Sequence, residues 1–326
     1  MAPTYIKTYS IPTYGAFVAQ ERARLMPTEQ VRFDAYRKRY DDNPRDKTLD
    51  GFPPQLQIEP TSICNYRCTF CFQTNTDWSS AKSGDMGMMG MEMFKMAVDE
   101  AEGKTEALNI ASRGEPLLHP KIADMLAYLK GKFLAFKLNT NGWFLTEKTA
   151  HALLACDLMT LVVSADAASE PAYSQLRVGG QLDRIVENVT RFAEIRRTQY
   201  PHSRLLLRVS GVKVPGTPEL EDMQKLWGDL ADQVTFTAYN NWEDVYSHEE
   251  NEITEACTDL WRRTFIWWNG IINPCDVDYR SLLAVGKFPY ETLASVWMGE
   301  KYQWLRRQHL EGQRRECNPC GKCTVI

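Results

Sequence analysis

Cys64-Asn65-Tyr66-Arg67-Cys68-Thr69-Phe70-Cys71 is the stretch on which the reading of this chain turns. Its thiols are spaced C-x3-C-x2-C and follow Leu56-Gln57-Ile58-Glu59-Pro60, which alternates like a short strand. The cysteines therefore fall in a loop at a strand's C-terminal end, where barrel-like α/β folds place their chemistry. Three close thiolates hold three irons of a [4Fe–4S] cube and leave the fourth open, and cysteine sulfur is the usual cluster ligand. A closed structural zinc site wants four ligands, generally from paired C-x2-C units. A disulfide scaffold is disfavoured by the odd count of nine cysteines. It is disfavoured again by the N-terminus, Met1-Ala2-Pro3-Thr4-Tyr5-Ile6-Lys7, which lacks the apolar core of a secretion signal.

Working outward, 326 residues suffice for one large domain and a smaller one. Hydrophobic residues at 44% and charged residues at 25% are ordinary for a globular protein. A net charge of −4 argues against nucleic acid as a partner. No stretch approaches the ~20 apolar residues of a membrane span. Cysteine-rich chains without a secretion signal belong to the reducing cytosol, so a cytoplasmic protein is expected.

Residues 1–51 read as an N-terminal helical extension packed outside the core. Its helix starts at Pro27-Thr28-Glu29-Gln30 and carries Val31, Phe33, Tyr36 and Tyr40. From Phe52 strands and helices alternate. Strands are expected at 55–60, 106–111, 133–138, 158–164, 204–210 and 233–239, with helices near 91–102, 121–130, 147–155, 169–176, 182–198 and 219–230. Six such units predict an α/β fold, a partial (β/α)6 barrel with a mainly parallel sheet over residues 52–240. The Gly- and Met-rich run from Trp78 to Gly90 reads either as a mobile lid or as adaptable packing. Residues 240–253 are acidic and polar, as in a linker, and residues 241–326 form a small cysteine-rich domain with Cys257, Cys275, Cys317, Cys320 and Cys323.

The three-cysteine loop, its strand context and Phe70 before the last cysteine resemble the radical S-adenosylmethionine (SAM) superfamily. The resemblance implies that Cys64, Cys68 and Cys71 ligate a [4Fe–4S] cluster that binds SAM. It implies that Ser112-Arg113-Gly114-Glu115-Pro116, after the second strand, receives the SAM amino group. Glycine lets the backbone approach closely there, and Glu115 accepts hydrogen bonds from an ammonium. Relatives more often have Gly-Gly-Glu, so Arg113 is a departure, serving either as a substrate contact or in an ion pair. Asn139-Thr140-Asn141-Gly142 suits a turn, and by resemblance Asn141 lines the SAM pocket. Ser164 resembles the residue that bonds the SAM carboxylate or ribose, while Asp166 reads as a helix cap. Arg177 resembles an arginine pairing with the SAM carboxylate, the alternative being a solvated surface residue. Arg208, a charge inside the apolar strand Leu205–Val209, needs a partner in the site or in a salt bridge.

The C-terminal segment resembles the auxiliary-cluster domains called SPASM and twitch. The likeness rests on Cys257, Gly270 and Cys275, with a hairpin turning at Asn269-Gly270, and on the tail Cys317-Asn318-Pro319-Cys320-Gly321-Lys322-Cys323. A full SPASM domain has seven cysteines; five here imply one auxiliary [4Fe–4S] cluster. Its expected ligands are Cys257, Cys275, Cys320 and Cys323, with Cys317 in reserve, and a zinc ribbon is the alternative. Cys156 reads as an inert buried thiol. Asp276, directly after Cys275, matches the position of a catalytic base in sulfatase-maturating relatives, with Asp278 as competitor.

The resemblance thus implies a radical SAM oxidoreductase or epimerase acting on a small polar substrate of sugar or aminocyclitol type. It would draw electrons from a flavodoxin or ferredoxin, without nucleic-acid or membrane partners. Modification of a ribosomally made peptide is the alternative, disfavoured because the first 50 residues are short for a leader-binding domain. A non-catalytic iron–sulfur electron carrier is the alternative of another class.

Overall fold

The computed structural model describes residues 6–7, 14–214, 220–239 and 243–326. Six parallel strands follow one another in space as in sequence: β1 (Gln55–Ile58), β2 (Ala107–Ile110), β3 (Ala135–Thr140), β4 (Thr160–Ser164), β5 (Leu206–Lys213) and β6 (Gln233–Ala238). A strand followed by a right-handed helical crossover returns parallel to itself, so the alternation legible in the sequence fixes this order. The expected partial (β/α)6 barrel is therefore the fold. The expected helix start at Glu219 and the linker start at residues 240–242 lie outside the described residues.

The outer layer consists of α3 (Met91–Ala101), α4 (Ile122–Leu129), α5 (Glu147–Ala155), α6 (Glu170–Leu176), α7 (Leu182–Gln199) and α8 (Leu220–Trp227), preceded by α1 (Tyr14–Ala23) and α2 (Pro27–Asp46). Phe94, Leu126, Leu153, Ile185 and Met223 bury one face of five of these helices against the sheet. β3 shows what the sheet does with its two faces. Phe136, Leu138 and Thr140 are buried, whereas Ala135, Lys137 and Asn139 are only half-buried. Successive side chains alternate across a strand, so the second set lines the barrel's interior. β3 starts two residues later than the apolar run suggests, because Leu134 packs with Leu25 and Phe33 beneath the barrel instead of joining the ladder.

That contact places the N-terminal extension beneath the barrel, in a cluster of its own. Leu25, Phe33 and Tyr36 pack on Ala107, Leu134 and Met159, at the N-terminal ends of β2, β3 and β4. The two helices thus close the floor of the barrel. α2 begins with Pro27, whose fixed φ suits a first helical position, and Glu29 accepts a hydrogen bond from the Met26 N–H at 2.8 Å. α1, missed in the sequence, lies below β5, and the Phe17 ring sits 4.2 Å from the Arg208 guanidinium.

The sheet continues into the C-terminal segment. β7 (Arg263–Ile266) runs parallel to β1, and β8 (Ile271–Asn273) and β9 (Gly286–Lys287) follow antiparallel; with the short strand Ile6–Lys7 antiparallel to β6, they make one ten-stranded sheet. The expected hairpin turn falls at Asn269-Gly270. Gly270 has φ +86°, and a Cβ there would lie 2.2 Å from the Phe288 carbonyl oxygen. α9 (Leu293–Trp297) and α10 (Glu300–Leu310) complete this part, with Trp297 and Tyr302 in the same core as the barrel helices.

Candidate active site

The cysteine loop is fixed by its neighbours before any ligand arrives. Arg67 donates to the carbonyls of Cys64 and Tyr66 at 2.9 and 2.8 Å. Cys68 pairs antiparallel with Arg177 across a two-residue bridge. The three thiols act on one another electrostatically, and burial pushes each upward, that of Cys71 to about 12. Such thiols are poor nucleophiles on their own, and a bound metal must displace their protons. Among the described residues no three His, Cys, Asp or Glu side chains converge on a single-ion site. A cube held at its corners needs thiols spaced around it, whereas zinc draws four sulfurs to ~2.3 Å. Three cysteine sulfurs on one loop are the donor set of an iron–sulfur cube with one open iron.

The glycine turn closes onto this loop. A Cβ on Gly114 would lie 2.2 Å from the Thr61 carbonyl oxygen and 2.7 Å from that of Ile63, and the Glu115 N–H donates to Ile63 at 2.9 Å. Only glycine permits that approach. Ser112 holds φ at +140°, strained for a residue with a side chain, and its Oγ is buried without a partner among the described residues. The Glu115 carboxylate accepts from the Leu117 N–H at 3.0 Å, the Thr140 hydroxyl at 2.7 Å and the Asn141 N–H at 2.7 Å. Burial raises its pKa against those hydrogen bonds, and its charge reaches Cys64. Asn141 joins the turn after β3 to the cysteine loop. It ends β3 in a turn with Gly142 at φ +80°, and its amide donates to Asn65 at 2.9 Å with Cys64 Sγ at 3.9 Å.

Arg177 is no surface residue. Its Nε donates to Asp166, its Nη1 lies 3.7 Å from Cys68 Sγ, and its guanidinium sits 5.6 Å from the Phe70 ring centre. Asp166 is thereby corrected from helix cap to buried counter-ion, its other oxygen accepting from the Val212 N–H at 2.5 Å. α6 takes Ser169 as its first cap residue instead. Ser164 stands half-buried at the C-terminal end of β4, in register with Ser210. Arg113 is structural, and its pairing with Glu59 had no motif to announce it. The Trp78–Gly90 run is not an open lid. Ser62 donates to Asp85 at 2.8 Å, Trp268 Nε1 to the same carbonyl at 2.9 Å, and Met89 and Trp78 are buried.

The four expected auxiliary thiols come together. Cys275 lies within electrostatic reach of Cys320 and Cys323, Cys257 of Cys323, and Cys320 of Cys257. Burial is the leading cause that raises each of them, Cys257 to about 12. Cys317 adjoins Cys320 but is wholly enclosed in the main core. Cys156 is also buried, donating to the Leu153 carbonyl at 3.3 Å. Two unforeseen residues shape this site. Arg314, buried in a polar tail, donates to the carbonyls of Cys320, Glu255, Cys323 and Val325. His309 accepts from the Cys257 N–H at 3.1 Å, and burial pushes it down to about 4.

Asp276 and Asp278 part company here. Asp278 accepts from the Tyr246 hydroxyl at 2.6 Å and from the N–H groups of Leu282 and Leu283, so it caps the turn. Asp276 keeps a buried Oδ1 without a partner among the described residues, facing Arg263 and Lys137 inside the barrel. Burial raises its pKa and the two cations oppose that rise. Arg208 also faces this interior, its Nε donating to Gln233 at 2.6 Å.

Residues 58–202 match the family described as the radical SAM superfamily, and residues 257–324 match the iron-sulfur cluster-binding domain SPASM. A cofactor-modifying protein of tungsten-containing aldehyde ferredoxin oxidoreductase from Pyrococcus furiosus is 24% identical over 83% of this chain and 89% of its own. An S-adenosyl-L-methionine-dependent 2-deoxy-scyllo-inosamine dehydrogenase from Niallia circulans is 20% identical over 85% and 95%. Among solved structures, BtrN in complex with AdoMet and 2-DOIA superposes with a TM-score of 0.57 at 17% identity, covering 86% of this chain and 95% of that one. Streptococcus suis SuiB bound to its precursor peptide also gives 0.57, at 18% identity over 86% and 72%. At such identities these superpositions establish the shared fold. With its cysteine loop answered by a glycine turn across the barrel mouth, and with both domain matches in place, the chain belongs to the radical SAM superfamily and carries a SPASM-type domain at its C-terminal end.

Proposed function

We propose that this radical SAM enzyme oxidises a small polar substrate of sugar type, with Asp276 as the proton acceptor. The protein uses a SAM-binding [4Fe–4S] cluster, an auxiliary iron–sulfur cluster and SAM. When bound, these groups would supply a radical for hydrogen-atom abstraction and an acceptor for one electron. The chain's own part is to orient and to move the proton. Cys64, Cys68 and Cys71 hold the first cluster, and Cys257, Cys275, Cys320 and Cys323 the second. Ser112, Gly114, Glu115, Asn141, Ser164 and Arg177 with Phe70 surround SAM. Oxidation of a CH–OH group to a carbonyl gives up one hydrogen atom, one electron and one proton, and that proton would go to Asp276.

The observation that carries this reading is the unpartnered Asp276 oxygen, inside the barrel and one residue from Cys275. A carboxylate with one unpartnered oxygen beside an auxiliary-cluster ligand is placed to receive a proton, whereas Asp278 is spent on its turn. A reduced flavodoxin or ferredoxin is the electron donor in this scheme. The test is anaerobic. Reconstituted protein with dithionite and SAM should release 5′-deoxyadenosine, and a panel of sugars and sugar acids should stimulate that release; stimulation by peptides alone would refute the small-substrate reading.

A further inference from the structure

Inside the barrel stands a pair of cations that the site described above leaves unused. Phe136 and Leu138 of β3 enter the core beneath the helices, so Lys137, out of phase with both, faces the interior. The charges acting on its ammonium come from every side of that interior: Arg208 on β5, Glu21 on α1, Arg263 on β7 and Asp276 after β8. Among the described residues no hydrogen bond or ion pair engages it. Burial first, and Arg208 next, push it down to about 8.

Arg208 is in a similar position. Its Nε is used by Gln233 and its guanidinium rests over Phe17, yet no carboxylate pairs with it among the described residues. The anions within electrostatic reach, Glu21 for both cations and Asp276 for Lys137, form no contact ion pair with either among the described residues. Glu21 accepts from the Thr160 hydroxyl at 2.9 Å, and Asp259 is paired with Arg263. Two cations that outnumber their contact partners in a partly buried chamber keep donors free for an anionic ligand. Beside them, Asn109 and Asn139 each keep a buried side-chain oxygen without a partner. Asn109 is only 5% exposed, in register with Lys137, and its amide nitrogen is already used on Gln57 at 2.9 Å.

We propose that Lys137, with Arg208 beside it, seats an oxyanion of the substrate, while Asn109 and Asn139 accept hydrogen bonds from its hydroxyls. The inference rests on the reading under Proposed function and narrows it to a hydroxylated acid or phosphate ester. An aminocyclitol would bring its ammonium against two cations. Lys137 lies four residues before Asn141 at the cluster loop, about 13 Å of strand. That length accommodates a sugar-sized acid with its anion at the anchor and its reacting carbon toward SAM.

The experiment uses the full chain, anaerobically reconstituted and saturated with SAM, titrated with D-glycerate, glycerol 3-phosphate and glycerol. Calorimetry reads affinity, and protection of Lys137 from acetic anhydride, read by peptide mass spectrometry, reports where the probe sits. At least one anion should bind about 10-fold or more tighter than glycerol and protect Lys137, the size expected of a charge-assisted hydrogen bond. Which anion wins distinguishes a carboxylate from a phosphate. Lys137→Met should lose about 10-fold of that affinity with its iron content intact, and Lys137→Arg should restore most of it. Glycerol matching both anions, or Lys137→Met binding them as the wild type does, would overturn the oxyanion seat. Release of 5′-deoxyadenosine by the wild type is measured alongside. Its absence refutes the reading under Proposed function, whereas its presence with charge-blind binding refutes the seat alone.

Discussion

Arg113 and Glu59 form a buried, two-pronged ion pair, Nε to Oε2 and Nη2 to Oε1 at 2.7 Å each, tying the loop after β2 to the end of β1. The same guanidinium donates to the Tyr279 carbonyl at 2.8 Å and lies 4.3 Å from the Trp267 ring centre. One side chain thus joins the glycine turn, the strand before the cysteine loop and the auxiliary segment. Breaking a buried pair strands its partner's charge. Arg113→Ala should therefore destabilise the protein by about 3–5 kcal/mol in chemical denaturation. A variant with wild-type stability and a raised substrate KM would return Arg113 to the role of substrate contact.

Arg314 offers a cleaner separation of the two clusters. Its four carbonyl contacts hold the tail that carries Cys320 and Cys323. Arg314→Ala strands those buried acceptors and should remove about four irons per chain, those of one cube, while the three-cysteine loop keeps its own. Iron analysis with electron paramagnetic resonance of the reduced protein checks this. Full iron content in the variant would show that the tail is ordered without the clamp.

Lys137 makes a stability prediction with a definite sign. Its pKa falls from 10.5 to about 8 on folding, so below pH 8 the folded state holds a proton less willingly than the unfolded chain. The wild type is penalised at neutral pH and recovers as pH rises from about 8 to 10.5. Lys137→Met should then be more stable than wild type at pH 7, by about 1–3 kcal/mol, and the advantage should vanish above pH 10.5. Thermal melts across that range read it. A destabilised variant would mean that Lys137 has a structural partner.

Much of this was legible because it is local. The cysteine loop, the glycine turn at Gly114 and the Asn269-Gly270 hairpin are each encoded within a few residues, and period-two alternation located the strands to within a residue or two at most ends. What escaped is tertiary. Asp166 reads as a cap until Arg177, eleven residues on, is seen folded back onto it. Arg314 and His309 sit in a polar tail that gives no sign of burial, because their partners are backbone groups. Lys137 did leave a signal, a charge between Phe136 and Leu138, the same signal that singled out Arg208. The floor of the barrel could not be read, since helix amphipathicity tells that a face is covered and not by what.

Asp276→Asn preserves shape and removes the acceptor. Both clusters should assemble and 5′-deoxyadenosine should still form, while substrate turnover falls by about 10²–10⁴-fold, the usual contribution of a positioned base. Normal turnover would remove Asp276 from the chemistry, and lost iron would make it structural.

The most direct test of the central claim is SAM cleavage by the protein in which Cys64, Cys68 and Cys71 are all replaced by alanine. The account predicts about four fewer irons per chain and no 5′-deoxyadenosine under reducing conditions. Undiminished 5′-deoxyadenosine from that triple variant would contradict it.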